Sequence, residues 1–131
     1  MDLENYNFND EKFLVVDDDS QTCMILERVF LKAGVETRIA KNGIEALKIL
    51  KSDGSITVAI IDIRMPNMDG YQVVEKAIKF RPNIIYIAYT ADVFRLDRER
   101  CENIGFHSCL SKPLLPSMLV KALNEALLAR K

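Results

Sequence analysis

The sequence contains few of the residues that build zinc centres or disulfide frameworks, and it has no tryptophan. His107 is the only histidine, which argues against a zinc site, because such sites usually combine several cysteine and histidine ligands. The cysteines, Cys23, Cys101 and Cys109, are odd in number and show no Cys-x-x-Cys spacing. We therefore expect free thiols in a reducing compartment.

Long apolar segments and an excess of charge are also absent. The longest apolar runs are strand-sized and the segment from Met1 to Asp10 is polar and acidic, so neither a membrane span nor a signal peptide is expected. The net charge of -1 offers no basic surface for nucleic acid or for an acidic membrane. These absences predict a cytoplasmic protein with no direct nucleic-acid or membrane partner. The length of 131 residues is that of one domain with its own core.

Apolar runs rich in valine and isoleucine alternate with stretches of helical periodicity along the chain. Strands are predicted at residues 12–16, 36–40, 58–61, 84–88 and 107–110. The first predicted helix ends near Gly34, the second opens at Asn42 and stops by Gly54, and the others cover 71–80, 93–103 and the segment from Pro116 onward. The first two helices have apolar faces that we expect to be buried, formed by Ile25, Leu26, Val29 and Phe30 and by Ile44, Leu47, Ile49 and Leu50.

This alternation of strand and helix predicts the fold class. Short connections between the elements favour a parallel sheet with helices on both faces, because right-handed crossovers place the intervening helices there. The runs at 13–16 and 58–61 are apolar throughout, as expected of strands that are buried on both faces. The sequence thus predicts a doubly wound α/β domain whose functional site lies beyond the carboxyl ends of the strands.

Polar residues follow four of the predicted strands. They are Asp17-Asp18-Asp19 after the first, Asp62 after the third, Thr90 after the fourth and Lys112-Pro113 after the fifth. Carboxylate oxygens suit Mg2+ or Mn2+, which bind carboxylates, waters and phosphate oxygens. A carboxylate that faces such an ion can itself accept a phosphoryl group, and Asp62 is the candidate for that role. Lys112 and Thr90 offer an ammonium and a hydroxyl to the remaining phosphoryl oxygens.

Four segments carry a close resemblance to the receiver domain of two-component response regulators. They are FLVVDDDS at 13–20, IIDIRMPNMDGYQVV at 60–74, YTAD at 89–92 and LSKPL at 110–114. The resemblance implies a flavodoxin-like (βα)5 fold with a five-stranded parallel sheet in the order 2-1-3-4-5. It covers residues 12–129 and leaves 1–11 as an N-terminal tail. The segment 62–70 is the most specific, because it resembles the tight loop over the phosphoacceptor of the family.

The resemblance also implies metal-binding and acceptor roles by position. Asp17 and Asp18 bind Mg2+, with Mn2+ as the other ion of suitable chemistry. Asp62 is phosphorylated and contacts the metal, and the backbone carbonyl of Arg64 completes the metal shell. Asp19 is expected to lie outside this shell and to cap the first helix, alone or together with the neighbouring serine.

Further roles concern the phosphoryl group and the switch. By resemblance, Thr90 and Lys112 bind the phosphoryl oxygens, Thr90 moves toward them as the switch, and the peptide bond between Lys112 and Pro113 is cis. The family usually has an aromatic residue three positions before the lysine, where this chain has Cys109. A thiol cannot swing a ring in or out. Tyr89 is the candidate to replace the missing ring, and the alternative is that Tyr89 only packs beneath the fourth helix.

Charged residues near the site suggest an effect on the lifetime of the phosphoryl group. Arg64 lies two residues after Asp62, and Asp92 lies two residues after Thr90. An ion pair between Arg64 and Asp92 across the mouth of the site would shield the acyl phosphate from water, although exposed pairs are weak. The run of mixed charge at 95–100 is interpreted as a solvated helix face.

The finer pattern resembles receivers of hybrid sensor histidine kinases, through the segment 90–114 and NGIEAL at 42–47. This implies a histidine kinase or a histidine phosphotransfer domain as the phosphoryl donor. Apolar groups around Cys23, Met24 and the segment Pro113-Leu114-Leu115 are candidate contacts for it. Phosphorylation is then expected to change the surface of the fourth helix, fifth strand and fifth helix for a downstream protein, in a monomer or weak homodimer.

Two other functions fit part of the pattern. Asp17 and Asp19 form the Asp-x-Asp of a haloacid-dehalogenase-type phosphatase, but that class predicts a longer chain and a late acidic motif where this chain has Ser111-Lys112-Pro113. An inert receiver-like binding module would have lost an acid, the threonine or the lysine. We therefore expect no turnover of external substrates, and expect the domain to catalyse its own Mg-dependent phosphorylation and dephosphorylation.

Overall fold

The computed structural model describes residues 8, 10–91, 95–112 and 115–130. Within these residues strands and helices alternate as β1 (Lys12–Val16), α1 (Ser20–Lys32), β2 (Glu36–Ala40), α2 (Gly43–Ser52), β3 (Val58–Asp62), α3 (Gly70–Ala77), β4 (Ile85–Thr90), α4 (Arg95–Ile104), β5 (Ser108–Ser111) and α5 (Pro116–Arg130). All neighbouring strands are parallel, and their order is β2-β1-β3-β4-β5. The predicted α/β fold and strand order are therefore confirmed.

The sheet separates two apolar cores. Residues 13–16 of β1 and every residue of β3 are buried, as predicted for strands covered on both faces, and β4 is buried throughout as well. One core packs α2, α3 and α4 against the sheet, and the other packs α1 and α5 against the opposite face. Alternate residues of β4 therefore contribute to different cores, with Tyr86 and Ala88 on the first face and Ile87 and Tyr89 on the second.

Several helix ends follow the local signals in the sequence. Asp19 is the N-cap of α1, where its side chain accepts a hydrogen bond from the backbone N–H of Gln21. Asn42 caps α2 in the same way, by accepting from the N–H of Glu45. Gly34 follows α1 with a φ of 79°, the left-handed conformation that glycine adopts without steric cost. These predicted caps are confirmed.

The predicted buried faces of the first two helices are partly wrong. Ile25 is 62% exposed and Ile44 is 58% exposed. In α1 the buried stripe is Cys23, Leu26 and Phe30, and in α2 it is Gly43, Ala46 and Leu50. Both stripes follow the i, i+3, i+7 spacing of a helix, so the residues immediately beside them turn toward solvent.

Other boundaries differ from the prediction by a few residues. β4 and β5 extend to Thr90 and Ser111, and α3 ends at Ala77, after which the chain turns toward Pro82. The predicted start of α4 at residue 93 lies outside the described residues. Before β1, the side chain of Phe8 is buried and its ring packs edge-on against Phe13 at 6.0 Å, so this part of the expected tail joins the core. None of the described helices combines the length and apolarity needed to cross a membrane.

Candidate functional site

The carboxyl edge of the sheet brings together the polar residues that follow the strands. Asp17 follows β1, Asp62 ends β3, Thr90 ends β4 and Lys112 follows β5. One carboxylate oxygen each of Asp17, Asp18 and Asp62 lies within 4.8 Å of the others. Asp17, Asp62 and Thr90 are buried and Asp18 is exposed, so the cluster opens to solvent on one side.

Lys112 connects two of these carboxylates. Its Nζ lies 3.1 Å from Oδ2 of Asp17 and 3.3 Å from Oδ2 of Asp62. The lysine side chain is 26% exposed, whereas the two carboxylates are almost completely buried. A single ammonium therefore compensates part of the negative charge of three neighbouring carboxylates, and the site retains an affinity for further positive charge.

The electrostatic surroundings shift the pKa values of both Asp62 and Lys112. Burial raises the pKa of Asp62 to about 6, the charge of Asp17 adds to this effect, and Lys112 opposes it. Burial alone would lower the pKa of Lys112, but Asp62 and Asp17 more than offset this and hold its pKa above the usual value. Lys112 is therefore a persistent cation beside a carboxylate that is costly to ionise without a positive partner.

The carboxylate of Asp62, the phosphoacceptor candidate, accepts a hydrogen bond from the backbone. The neighbouring hydroxyl of Thr90 has no hydrogen-bond partner within the described residues. The N–H of Arg64 donates to Oδ1 of Asp62 at 3.1 Å. Oγ1 of Thr90 is buried and has no hydrogen-bond partner within the described part of the chain. Buried hydroxyls are normally hydrogen-bonded, so this oxygen is suited to a group that enters the site.

The loop after β3 is packed closely against the backbone of Asp62. A Cβ at Gly70 would lie 2.8 Å from the carbonyl oxygen of Asp62 and 2.9 Å from Cα of Ile63. Only glycine permits this approach, and the N–H of Gly70 donates to the carbonyl of Ile63 at 3.0 Å. Asn67 in the same loop has a φ of 68°. The segment 62–70 is thus a tight loop over Asp62, as the sequence predicts.

The acidic triplet divides into two parts. Asp19 caps α1, and its side chain also accepts a hydrogen bond from the hydroxyl of Thr22 at 2.8 Å. Its backbone N–H donates to Oδ1 of Asp17 at 2.9 Å. The predicted capping role of Asp19 is confirmed, and the carboxylates of Asp17 and Asp18 are left for the cluster with Asp62.

Tyr89 lies directly beneath the site. Its hydroxyl donates to Oδ2 of Asp17 at 2.6 Å, and Nζ of Lys112 lies 4.8 Å from the centroid of its ring. Burial raises the pKa of Tyr89 and the hydrogen bond to Asp17 raises it further, so the phenol stays protonated. The ring packs on the α1 and α5 face of the sheet, so the alternative of packing beneath the fourth helix is wrong.

Cys109 occupies the position where the resemblance leads us to expect an aromatic ring. It is buried, and the neighbouring thiol of Cys101 lowers the pKa of Cys109. All the cysteines are free thiols, as predicted. No ring is available at this position, and its role in the switch stays a prediction.

Arg64 has a partner that the sequence does not predict. Its Nη2 lies 3.0 Å and 2.9 Å from the two carboxylate oxygens of Asp97 in α4, and the hydroxyl of Tyr71 donates to the same carboxylate at 2.6 Å. Asp97 is buried, so the interpretation of residues 95–100 as a solvated face is wrong at this residue. Its i, i+4 spacing from the buried Cys101 is the signal that could have identified it.

Two of the predicted site residues lie outside the described part of the chain. Asp92, the expected partner of Arg64 across the mouth of the site, is one of them. Pro113, on which the expected cis peptide bond after Lys112 depends, is the other. The ion pair with Asp92 and the cis bond both stay predictions.

The donor set of the cluster fits a hard divalent cation. Three carboxylates, two of them buried, offer only oxygen ligands, and Lys112 is the single ammonium described beside them. Oxygen ligands from one or two carboxylates, together with water, are those that Mg2+ binds in proteins. Asp17, Asp18 and Asp62 can therefore hold such an ion.

Known proteins share both the sequence pattern and the fold. The family model of the response regulator receiver domain matches residues 13–124. The chain is 31% identical over 115 residues to the sensor histidine kinase RcsC of Salmonella typhimurium, an alignment that covers 88% of this chain and 12% of that kinase. It is 40% identical over 110 residues to hybrid signal transduction histidine kinase L of Dictyostelium discoideum, covering 79% of this chain and 6% of that protein.

A solved structure agrees with these relatives. The crystal structure of a CheY-like response regulator receiver domain protein from Methanospirillum hungatei JF-1 superposes with a TM-score of 0.85 at 28% identity, covering 92% of this chain and 95% of that one. The chain spans only a small part of the length of the two kinases. The family model, the relatives, the fold and the acidic pocket agree with one another. The chain belongs to the response regulator receiver domain family, whose members are the phosphoacceptor domains of phosphorelay systems.

Proposed function

We propose that Asp62 accepts a phosphoryl group from a phosphohistidine in a Mg-dependent reaction. The observation that carries this proposal is the pairing of the buried Asp62 carboxylate with Lys112 at the edge where Asp17 and Asp18 converge. The buried Thr90 hydroxyl, which has no hydrogen-bond partner within the described residues, adds a donor for an incoming anion. Family membership supports the same reaction.

The proposed cation site consists of the carboxylates of Asp17, Asp18 and Asp62 and the backbone carbonyl of Arg64. When bound, Mg2+ supplies positive charge that neutralises the phosphoryl oxygens and the carboxylates together. Mn2+ prefers the same ligands and is expected to substitute for it. The backbone N–H of Arg64 orients Asp62 by donating to its Oδ1, which leaves Oδ2 on the side of Lys112.

The transfer breaks the P–N bond of the phosphohistidine and forms a P–O bond to a carboxylate oxygen of Asp62. The histidine nitrogen keeps the electron pair of the broken bond, and because the other ring nitrogen carries a proton, the leaving group is a neutral imidazole. The ammonium of Lys112, which lies near both Asp17 and Asp62, moves to a phosphoryl oxygen, and the hydroxyl of Thr90 donates to another. Hydrolysis of the acyl phosphate by water then returns Asp62 to a carboxylate, so the domain removes its own phosphoryl group.

A histidine kinase or a histidine phosphotransfer domain is the proposed donor. The kinase relatives support this choice, because the matched segment forms part of proteins named as histidine kinases. Met24 and Leu115 are each 52% exposed and remain candidate contacts for the donor, together with the exposed Ile25. Cys23 is buried and is removed from that set. Pro113 and Leu114 lie outside the described residues.

The consequences of phosphorylation belong to the same proposal. We expect the surface of α4, β5 and α5 to change and to contact a downstream protein, in a cytoplasmic monomer or weak homodimer. Arg64 and Asp92 are proposed to slow the loss of the phosphoryl group by limiting the access of water. Tyr89 and Cys109 remain the candidate residues for the switch. The dehalogenase-type alternative is not retained, because the receiver family model matches almost the whole domain.

The experiment is incubation with Mg2+ and a small acyl phosphate or phosphoramidate, followed by intact-protein mass spectrometry. Wild type is expected to gain one phosphoryl group, and chelation of Mg2+ or the substitution Asp62→Ala is expected to abolish the gain. A phosphate adduct of equal yield in Asp62→Ala would contradict the proposal. No adduct on folded wild type would instead favour the inert binding module.

A further inference from the structure

Tyr89 makes a contact with the acidic cluster that neither the sequence nor the proposed reaction explains. It is the residue before Thr90 at the end of β4, and its side chain is completely buried. Its hydroxyl donates to Oδ2 of Asp17 at 2.6 Å, a short hydrogen bond to a carboxylate that is itself completely buried. Its ring lies beneath Nζ of Lys112.

The donors around Asp17 differ in what they can do during the reaction. Oδ1 of Asp17 accepts from the backbone N–H of Asp19 at 2.9 Å, while Oδ2 accepts from Tyr89 and from Lys112. Lys112 is shared with Asp62, and in the proposed reaction it turns to the phosphoryl group. Tyr89 is neutral and held in the core, so its hydroxyl stays on Oδ2 when the lysine leaves.

We propose that Tyr89 is a positioning residue for the cation site, whose hydroxyl fixes the orientation of the Asp17 carboxylate before and after phosphorylation. The inference rests on the proposed function, because it assigns Asp17 to the cation. It goes beyond that function by naming Tyr89 as the side chain that holds the carboxylate of Asp17 in place. Partners that orient a metal ligand typically change the metal affinity by about tenfold or more when they are removed.

A purely structural role for the same hydroxyl predicts a different result. In that case Tyr89→Phe would lower the stability of the domain, because a buried carboxylate loses a donor, but the affinity for Mg2+ would not change. Tyr86 offers a matched control in the same strand. It is also buried, its hydroxyl donates to the carbonyl of Arg81 at 2.8 Å, and its ring packs on the opposite face of the sheet.

The experiment measures the dissociation constant of Mg2+ for unphosphorylated wild type, Tyr89→Phe and Tyr86→Phe by isothermal titration calorimetry. Circular dichroism melts on the same samples report how much stability each variant loses. We expect Tyr89→Phe to bind Mg2+ about tenfold more weakly than wild type, and Tyr86→Phe to bind it as wild type does. Equal affinities of the two variants, or tighter binding by Tyr89→Phe, would overturn the inference, as would a wild type that binds no Mg2+.

A second measurement uses only wild type, so it does not depend on whether a variant folds. In wild type labelled with 13C at the tyrosine ζ carbons, addition of Mg2+ is expected to shift the resonance of Tyr89 and to leave that of Tyr86 in place. An unmoved Tyr89 resonance at saturating Mg2+ would also overturn the inference. Phosphorylation of wild type is scored separately by mass spectrometry, so failure of Asp62 to accept a phosphoryl group is distinguishable from failure of Tyr89 to affect the cation.

Discussion

Arg64 and Asp97 form an ion pair between the loop that follows β3 and helix α4, with Nη2 of Arg64 3.0 Å and 2.9 Å from the two carboxylate oxygens. The backbone N–H of Arg64 also donates to Oδ1 of Asp62. A single residue therefore contacts the phosphoacceptor through its backbone and α4 through its side chain. Because Cys109 provides no ring, this pair offers another connection between phosphorylation and α4.

Arg64→Ala tests that connection. Phosphorylation of wild type is expected to change the amide hydrogen exchange of α4, because Asp62, Arg64 and Asp97 are linked by direct contacts. In Arg64→Ala we expect a clearly smaller change in α4 at equal phosphorylation, together with faster loss of the phosphoryl group. Arg28→Ala, which removes an exposed arginine of α1, serves as the control. An α4 response in Arg64→Ala equal to that in wild type would exclude this connection.

Asp18→Asn and Asp19→Asn compare neighbouring members of the acidic triplet. Asp18 lies in the carboxylate cluster, whereas Asp19 caps α1, a role that asparagine fills as well. Asp18→Asn is expected to weaken Mg2+ binding by more than about tenfold, and Asp19→Asn to leave it unchanged. Calorimetric titration with Mg2+ measures both. Comparable losses in the two variants would show that the triplet is not divided in this way.

Gly70→Ala tests the tight loop over Asp62. The added methyl group would lie 2.8 Å from the carbonyl oxygen of Asp62, so the backbone of the acceptor or of the loop must move. We expect a loss of about 1–3 kcal/mol in the free energy of unfolding, typical of overpacking, and slower phosphorylation of Asp62. Urea denaturation measures the free energy of unfolding, and mass spectrometry measures the rate of phosphorylation. Gly54→Ala is the control, because a Cβ there meets no atom within 4 Å, and similar behaviour of both variants would contradict the role of Gly70.

Asp53, which is not part of the acidic cluster, makes the stability of the domain depend on pH. The hydrogen bond from Lys12 holds the pKa of Asp53 below its usual value, and the hydroxyl and N–H of Ser55 contribute as well. A lowered pKa in the folded state stabilises the protein above the unfolded value of about 4, and the contribution disappears as the pH falls through the folded value. Asp53→Asn is therefore expected to lower the free energy of unfolding by about 1 kcal/mol at neutral pH, and by less below about pH 4.

The control for Asp53→Asn is Glu36→Gln. Glu36 contacts the same lysine, at 3.3 Å from Nζ of Lys12, but its side chain is 74% exposed. Exposed ion pairs contribute little to stability, so we expect almost no change in the urea midpoint at neutral pH. A difference between wild type and Asp53→Asn that grows as the pH falls would contradict the assignment of the lowered pKa.

The sequence predicts the fold and the centre of the site because both follow from short-range patterns. In a parallel sheet the residues after the strands share one edge, so the sequence alone predicts that Asp17, Asp62 and Thr90 lie together. The spacing of Asp97 from Cys101 signals its burial, but the partners that Asp97 and Tyr89 contact were not predictable in the same way. They depend on how α4 and β4 pack against distant segments, which no local periodicity of the sequence encodes.

The exposed isoleucines of α1 and α2 show the same limit. Ile25 and Ile44 lie next to the buried stripes of their helices, and hydrophobicity alone does not distinguish a residue inside a stripe from its neighbour. The position of the sheet beneath each helix decides between them.

The most direct test of the central claim locates the phosphoryl group on the chain. Wild type is incubated with Mg2+ and acyl phosphate and then reduced with borohydride, which converts an aspartyl phosphate to homoserine. Peptide sequencing by tandem mass spectrometry is expected to find homoserine at position 62 and only when Mg2+ is present. Homoserine at another carboxylate with an unmodified Asp62, or no homoserine at all, would contradict the claim.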